Sequence, residues 1–89
     1  MRRTLAANRA GMAFLVEAFR ALGLTHVPSA ANFVLVRVGD GARVYEALLR
    51  RGVIVRPMAV YGFPEHVRVT VGTEAENARF VAALRAVLA

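Results

Sequence analysis

The run Val67-Arg68-Val69-Thr70-Val71 leads straight into Thr73-Glu74-Ala75-Glu76, and this pairing constrains the fold more than any other feature. The first run alternates apolar and polar residues, the two-residue period of a half-buried strand: one face carries valines, the other Arg68 and Thr70. The second has the spacing of a capping box, a threonine and a glutamate three residues on, each satisfying the other's backbone N–H at a helix start. A strand must therefore pass into a helix within about two residues. That helix continues with Asn77, Phe80, Val81, Leu84 and Leu88 along one stripe.

The same reading extends upstream. Residues 2–22 read as a helix, with Met12, Leu15, Val16, Phe19 and Leu22 on one face and Gly23 as its stop. The stretch LTHVPSA, with breakers Pro28 and Ser29, reads as a connection. Asn32–Val38 reads as a strand, Phe33, Leu35 and Arg37 on one face and Val34, Val36 and Val38 on the other. Gly39-Asp40-Gly41 is a turn whose aspartate can cap the helix that follows. That helix is expected over Ala42–Arg51, with Val44 and Leu48 inward, Tyr45 beside them and Gly52 as the C-cap. Val53–Arg56 reads as a second strand ended by Pro57, and MAVYGFPEH as a loop. The expected order is α-β-α-β-β-α. This is an α+β domain with a small antiparallel or mixed three-stranded sheet and helices on one face. The other face carries Arg68 and Thr70 and is where function should be sought.

Composition closes off several chemistries. At 89 residues the chain is expected to be a single domain, 1–23 a leading helix and 32–89 the sheet and its helices. Its 57% hydrophobic content is too high for a disordered chain. There is no cysteine, which excludes disulfides, thiolate catalysis and cysteine–zinc sites. All twelve basic residues are arginine, so no side chain can form a Schiff base. The only serine is Ser29 and the only aspartate Asp40, and their spacing does not support a serine–histidine–aspartate triad. His26 and His66 are far apart and belong to no metal-spacing motif. Gly39 and Gly41 lack the remainder of a phosphate loop. The formal charge of +6 invites a nucleic-acid reading, but the arginines are scattered and the sheet lacks the aromatic pair that stacks bases. The first 23 residues lack the uninterrupted apolar core of a signal peptide, and no run approaches a membrane span, so a cytoplasmic protein without a membrane partner is expected.

Two arginines stand out. Arg56 ends a strand directly before a proline, and Arg68 sits between valines. An arginine among apolar strand residues costs desolvation unless it meets an anion, and its planar fork suits a carboxylate or phosphate. From the residues alone the alternatives stay open: an anion site, a surface arginine, or an internal pair with Glu65, Glu74 or Glu76.

The segments PSAANFVLVRV, GVIVRP, YG and VRVTVGTEAENARFVAAL, in this order and spacing, resemble the C-terminal small domain of histidinol-phosphate aminotransferases. These are pyridoxal-phosphate enzymes of the aspartate-aminotransferase fold (fold type I). The resemblance covers about residues 10–89, and its most specific piece is Arg68 to Asn77. It implies that Arg68 binds the substrate α-carboxylate and that Arg56 stands near the substrate's distal end, where the phosphate sits. Asn32 and Tyr61-Gly62 fall on motif positions as candidates to support the site from behind. In the whole enzyme the resemblance places the cofactor lysine, the aspartate facing the pyridinium and the phosphate-binding residues in a large domain. It therefore implies a large-domain partner, an amino-acid substrate and a homodimer, with no catalytic residue and no cofactor held by this chain alone. A related aromatic aminotransferase or threonine-phosphate decarboxylase fits the same fold. A non-catalytic α+β binding module, including one for RNA, is the reading from outside it.

Overall fold

The computed structural model describes residues 5–30 and 32–89. Three helices, α1 (Leu5–Ala21), α2 (Gly41–Arg50) and α3 (Glu74–Leu88), accompany four strands, β1 (His26–Ala30), β2 (Phe33–Arg37), β3 (Arg56–Met58) and β4 (Phe63–Thr70). The strands form one antiparallel sheet in the order β1-β2-β4-β3. The α+β class is as expected, but the sheet has four strands, not three. The additional strand is β1, formed by residues that read as a connection. It pairs with β2 through His26↔Val36 and Val27↔Leu35.

Two other boundaries move. β3 pairs from Arg56 to Met58, later than the expected Val53–Arg56, and β4 starts at Phe63, within the expected loop. A 3-10 turn, Ala59–Tyr61, joins them and ends at Gly62 in the left-handed region, φ +87°. The start of the first helix at residues 2–4, and the Arg2-Arg3 pair, lie outside the described residues.

The core lies between the helices and one face of the sheet. Val34, Val36 and Val38 of the β2 segment and Val67, Val69 and Val71 of the β4 segment are buried there with Leu15, Phe19, Val44, Leu48, Phe80 and Leu84. Phe19 meets Phe80 edge-on, 6.2 Å between ring centroids. Alternation on β2 and β4 thus turns a valine row toward the helices and leaves Phe33, Leu35, Arg37, Arg68 and Thr70 on the open face. Both expected caps form. Asp40 Oδ1 accepts from Arg43 N at 3.1 Å. Thr73 and Glu76 exchange both bonds of the capping box. Among the described residues no helix is long and apolar enough to cross a membrane.

Candidate functional site

The open face is crossed by one row of aligned residues, Leu35 on β2, Arg68 on β4 and Arg56 on β3. Residues directly opposite in an antiparallel ladder project from the same face, so the two guanidinium-bearing side chains stand side by side. Arg68 is held from one flank by Phe33, with the guanidinium carbon 4.3 Å from the ring centroid. Its Nε is buried and has no hydrogen-bond partner. Arg56 is exposed at the sheet edge.

A cleft of about 360 Å³ opens beside this pair, lined by Tyr45, Ile54, Val55, Arg56, Pro57, Arg68 and Thr70. It exists because β3 first pairs with β4 at Arg56↔Arg68. Upstream, Ile54 and Val55 run past Thr70 outside the ladder.

Internal ion pairing does not account for the two arginines. Among the described residues neither has a carboxylate within ion-pair distance. Glu65 pairs with Arg37, Nε to Oε1 at 2.9 Å, and the Glu76 carboxylate accepts from Thr73 N. The Glu65 carboxyl is held below its ordinary range by the hydrogen bond from Arg37, then by the charges of Arg37 and His66, with desolvation opposing. Of the three arginines on the open sheet face, Arg37 is therefore neutralised, while Arg56 and Arg68 face the cleft.

The other two residues singled out in the sequence are placed differently. Asn32 is half-buried just before β2, and its carbonyl accepts from Val71 N at 2.8 Å, tying the start of β2 to the end of β4. It does not line the cleft. Tyr61 is 60% exposed on the 3-10 turn and does not line it either. Phe33, Tyr45 and Thr70 were not singled out as site residues. Thr70 was legible from its alternation with Arg68. The contribution of Phe33 requires a diagonal contact across strands, and that of Tyr45 requires the packing of α2.

Comparison with known proteins gives one answer. The family model "Aminotransferase class I and II" matches residues 1–84. A histidinol-phosphate aminotransferase of Nitrosococcus oceani is 61% identical over 89 residues, covering 99% of this chain and 24% of its own. One of Symbiobacterium thermophilum is 58% identical over 87 residues, covering 97% and 24%. Among solved structures, an aspartate aminotransferase of Thermus thermophilus superposes with a TM-score of 0.81 at 32% identity, over 92% of this chain and 23% of that one. The chain thus spans about a quarter of the length of the curated relatives it matches. With a family match over nearly every residue and relatives at this identity, the chain belongs to the class I and II aminotransferases.

Proposed function

We propose that this chain is the small domain of a pyridoxal-phosphate-dependent aminotransferase that exchanges an amino group between histidinol phosphate and an amino acid, with Arg68 receiving the α-carboxylate of the amino acid and Arg56 the phosphate of histidinol phosphate. The observation that carries the reading is the Arg56↔Arg68 register on the open face, with no acidic partner among the described residues. Like charges directly opposite on adjacent strands are unfavourable. A ligand with negative charge turns that repulsion into attraction, and two guanidinium forks side by side suit two anionic groups. The similar Thermus thermophilus enzyme was solved with maleate, a dicarboxylate. The names of the relatives at 58–61% identity favour a phosphorylated compound as one of the two substrates.

The proposed role of the chain is orientation. A carboxylate gripped by two parallel hydrogen bonds from one guanidinium cannot rotate freely, so the bond to be broken at the substrate Cα is held in a fixed direction. A strand is a better platform for this than a loop, because its flanking ladders fix the side chain's origin. When bound, pyridoxal phosphate supplies the electron sink for the chemistry. The chain contains no lysine, so its residues do not fit the covalent attachment of that cofactor, and its proposed contribution stops at the substrate. A large domain and a second copy of the enzyme are the proposed partners.

In the complete enzyme, Arg68→Ala should raise KM and lower kcat/KM for the amino acid by about 30-fold to several thousand-fold, matching roughly 2–5 kcal/mol for a lost charge-paired contact. Arg68→Lys should recover only part of this, because an ammonium lacks the fork. Arg56→Ala should impair a phosphorylated substrate more than phenylalanine. Equal loss on both would favour the aromatic-aminotransferase reading, and unchanged kinetics in Arg68→Ala would overturn the site.

A further inference from the structure

The passage from β4 to α3 is clamped from three sides. Val71 N donates to Asn32 O at 2.8 Å, from the β2 side. Gly72 N donates to Asn77 Oδ1 at 2.8 Å, and Asn77 Nδ2 donates back to Gly72 O at 3.2 Å. Thr73 N donates to Glu76 Oε1 at 2.7 Å. From α1, Gly11 closes on the same point. A Cβ there would lie 2.5 Å from Val71 Cγ1 and 2.9 Å from Asn77 Nδ2.

Asn77 is 4% exposed, and among the described residues it is the only polar side chain in the buried core. A buried amide is costly unless bonded. Here it satisfies the main-chain donor and acceptor of one residue, which an apolar side chain would leave without partners.

The location of this clamp gives it a meaning beyond stability. β3 supports β4 only up to Arg68. Beyond it, Val69 and Thr70 pair with β2 alone, the cleft opens beside Thr70, and past Thr70 only the Val71–Asn32 main-chain bond continues on the β2 side. Asn77 fixes the chain just past the end of β4, at Gly72, four residues beyond Arg68 and where no second strand partner supports it. The same junction holds Asn32 and so the start of β2, whose next residue, Phe33, supports the Arg68 guanidinium.

We propose that Asn77 is a positioning residue for substrate binding: through Gly72 and the end of β4 it holds Arg68, and the Phe33 ring against it, in the geometry that grips a carboxylate. This rests on the reading of Arg68 given above. The amide itself does not line the arginine cleft.

The test uses the complete enzyme and steady-state kinetics, with folding checked by circular dichroism and rates taken per cofactor-loaded site. Asn77→Ala should raise KM for the amino-acid substrate about tenfold, the scale of a modest misplacement at an orienting group. Asn77→Asp keeps the acceptor for Gly72 N–H and the shape but loses the donor, and should raise KM less. The deciding measurement is the double variant. Because Asn77 acts through Arg68, Asn77→Ala should change KM by less than about twofold when Arg68 is already alanine. Equal KM shifts in both backgrounds, or an unchanged KM in folded Asn77→Ala, would make the amide a stability element only and overturn the proposal. If Asn77→Ala does not fold, Asn77→Asp with and without Arg68→Ala decides it in the same way. Should Arg68→Ala leave KM unmoved, the carboxylate site itself falls. Should Arg68→Ala raise KM while the Asn77 variants do not, only the positioning role falls.

Discussion

Arg37 and Arg68 occupy equivalent faces of neighbouring strands, yet only Arg37 has a carboxylate beside it. The difference has a measurable consequence at Glu65. Its folded-state pKa is depressed, first by the hydrogen bond from Arg37 and then by charge. A depressed carboxyl contributes stability above its unfolded pKa and loses it as pH falls through the folded one. Followed by NMR, the Glu65 carboxyl should titrate below the usual glutamate range, and Arg37→Ala should return it upward. A titration midpoint indifferent to Arg37 would mean that the pair does not persist in solution. The pair is exposed, so its effect on global stability should be small. At this scale the sequence was informative wherever alternation was strict: Arg68 and Thr70 read as open-face residues, and they are. Which glutamate would take which arginine was not legible, because it depends on the Arg37↔His66 register between strands 29 residues apart in the chain.

Among the elements, α2 shows how closely a helix can be set against a strand. Gly41, its first residue, is buried, and a Cβ there would lie 2.7 Å from His66 O and 2.9 Å from Pro64 O. Both are main-chain atoms of β4, which cannot swing aside as a flexible side chain would. Alanine ordinarily favours a helix over glycine. Gly41→Ala should do the reverse and destabilise by about 1–3 kcal/mol, the range of overpacked sites, read as an earlier midpoint in chemical denaturation. A variant as stable as the parent would show that α2 can lift from β4 without cost. The elements that the sequence concealed are the edge strands. β1 contains Pro28, and β3 contains Pro57. A proline lacks the ladder donor, so both read as breaks. At a sheet edge that donor can face away from the neighbouring strand, and the chain pairs across the proline nonetheless. Conversely, Val53–Val55 has the composition of a strand and stays outside the ladder, since pairing is decided by what lies alongside. The helices and the two central strands were legible because their patterns are set by their own burial against one core.

At the scale of the molecule, the turn between β3 and β4 and the segment just before β3 leave apolar side chains in solvent. Val60 is 87% exposed and Ile54 79%, with Tyr61 and Phe63 nearby in the chain. Exposed apolar groups on this scale mark a surface that another body covers, which fits the large-domain partner proposed above. The chain's formal charge of +6 works against association of the isolated protein by self-repulsion, which salt screens. The two effects predict an unusual salt dependence. Expressed alone, these 89 residues should bind a hydrophobic dye and self-associate more at about 0.5 M salt than at low salt, where the Debye length is long. An assembly driven by arginines bridging to nucleic acid would instead dissolve as salt rises. Sedimentation velocity at the two ionic strengths, on nuclease-treated protein, separates the alternatives. In the same preparation, pyridoxal phosphate with glutamate as amino donor should give no turnover and no protein-bound absorbance band that survives dialysis, because the chain offers no lysine. A monomer at both salt concentrations with no dye binding would show that the exposed residues form no adhesive surface. A dialysis-stable band would mean that the chain holds the cofactor by a route other than a lysine side chain.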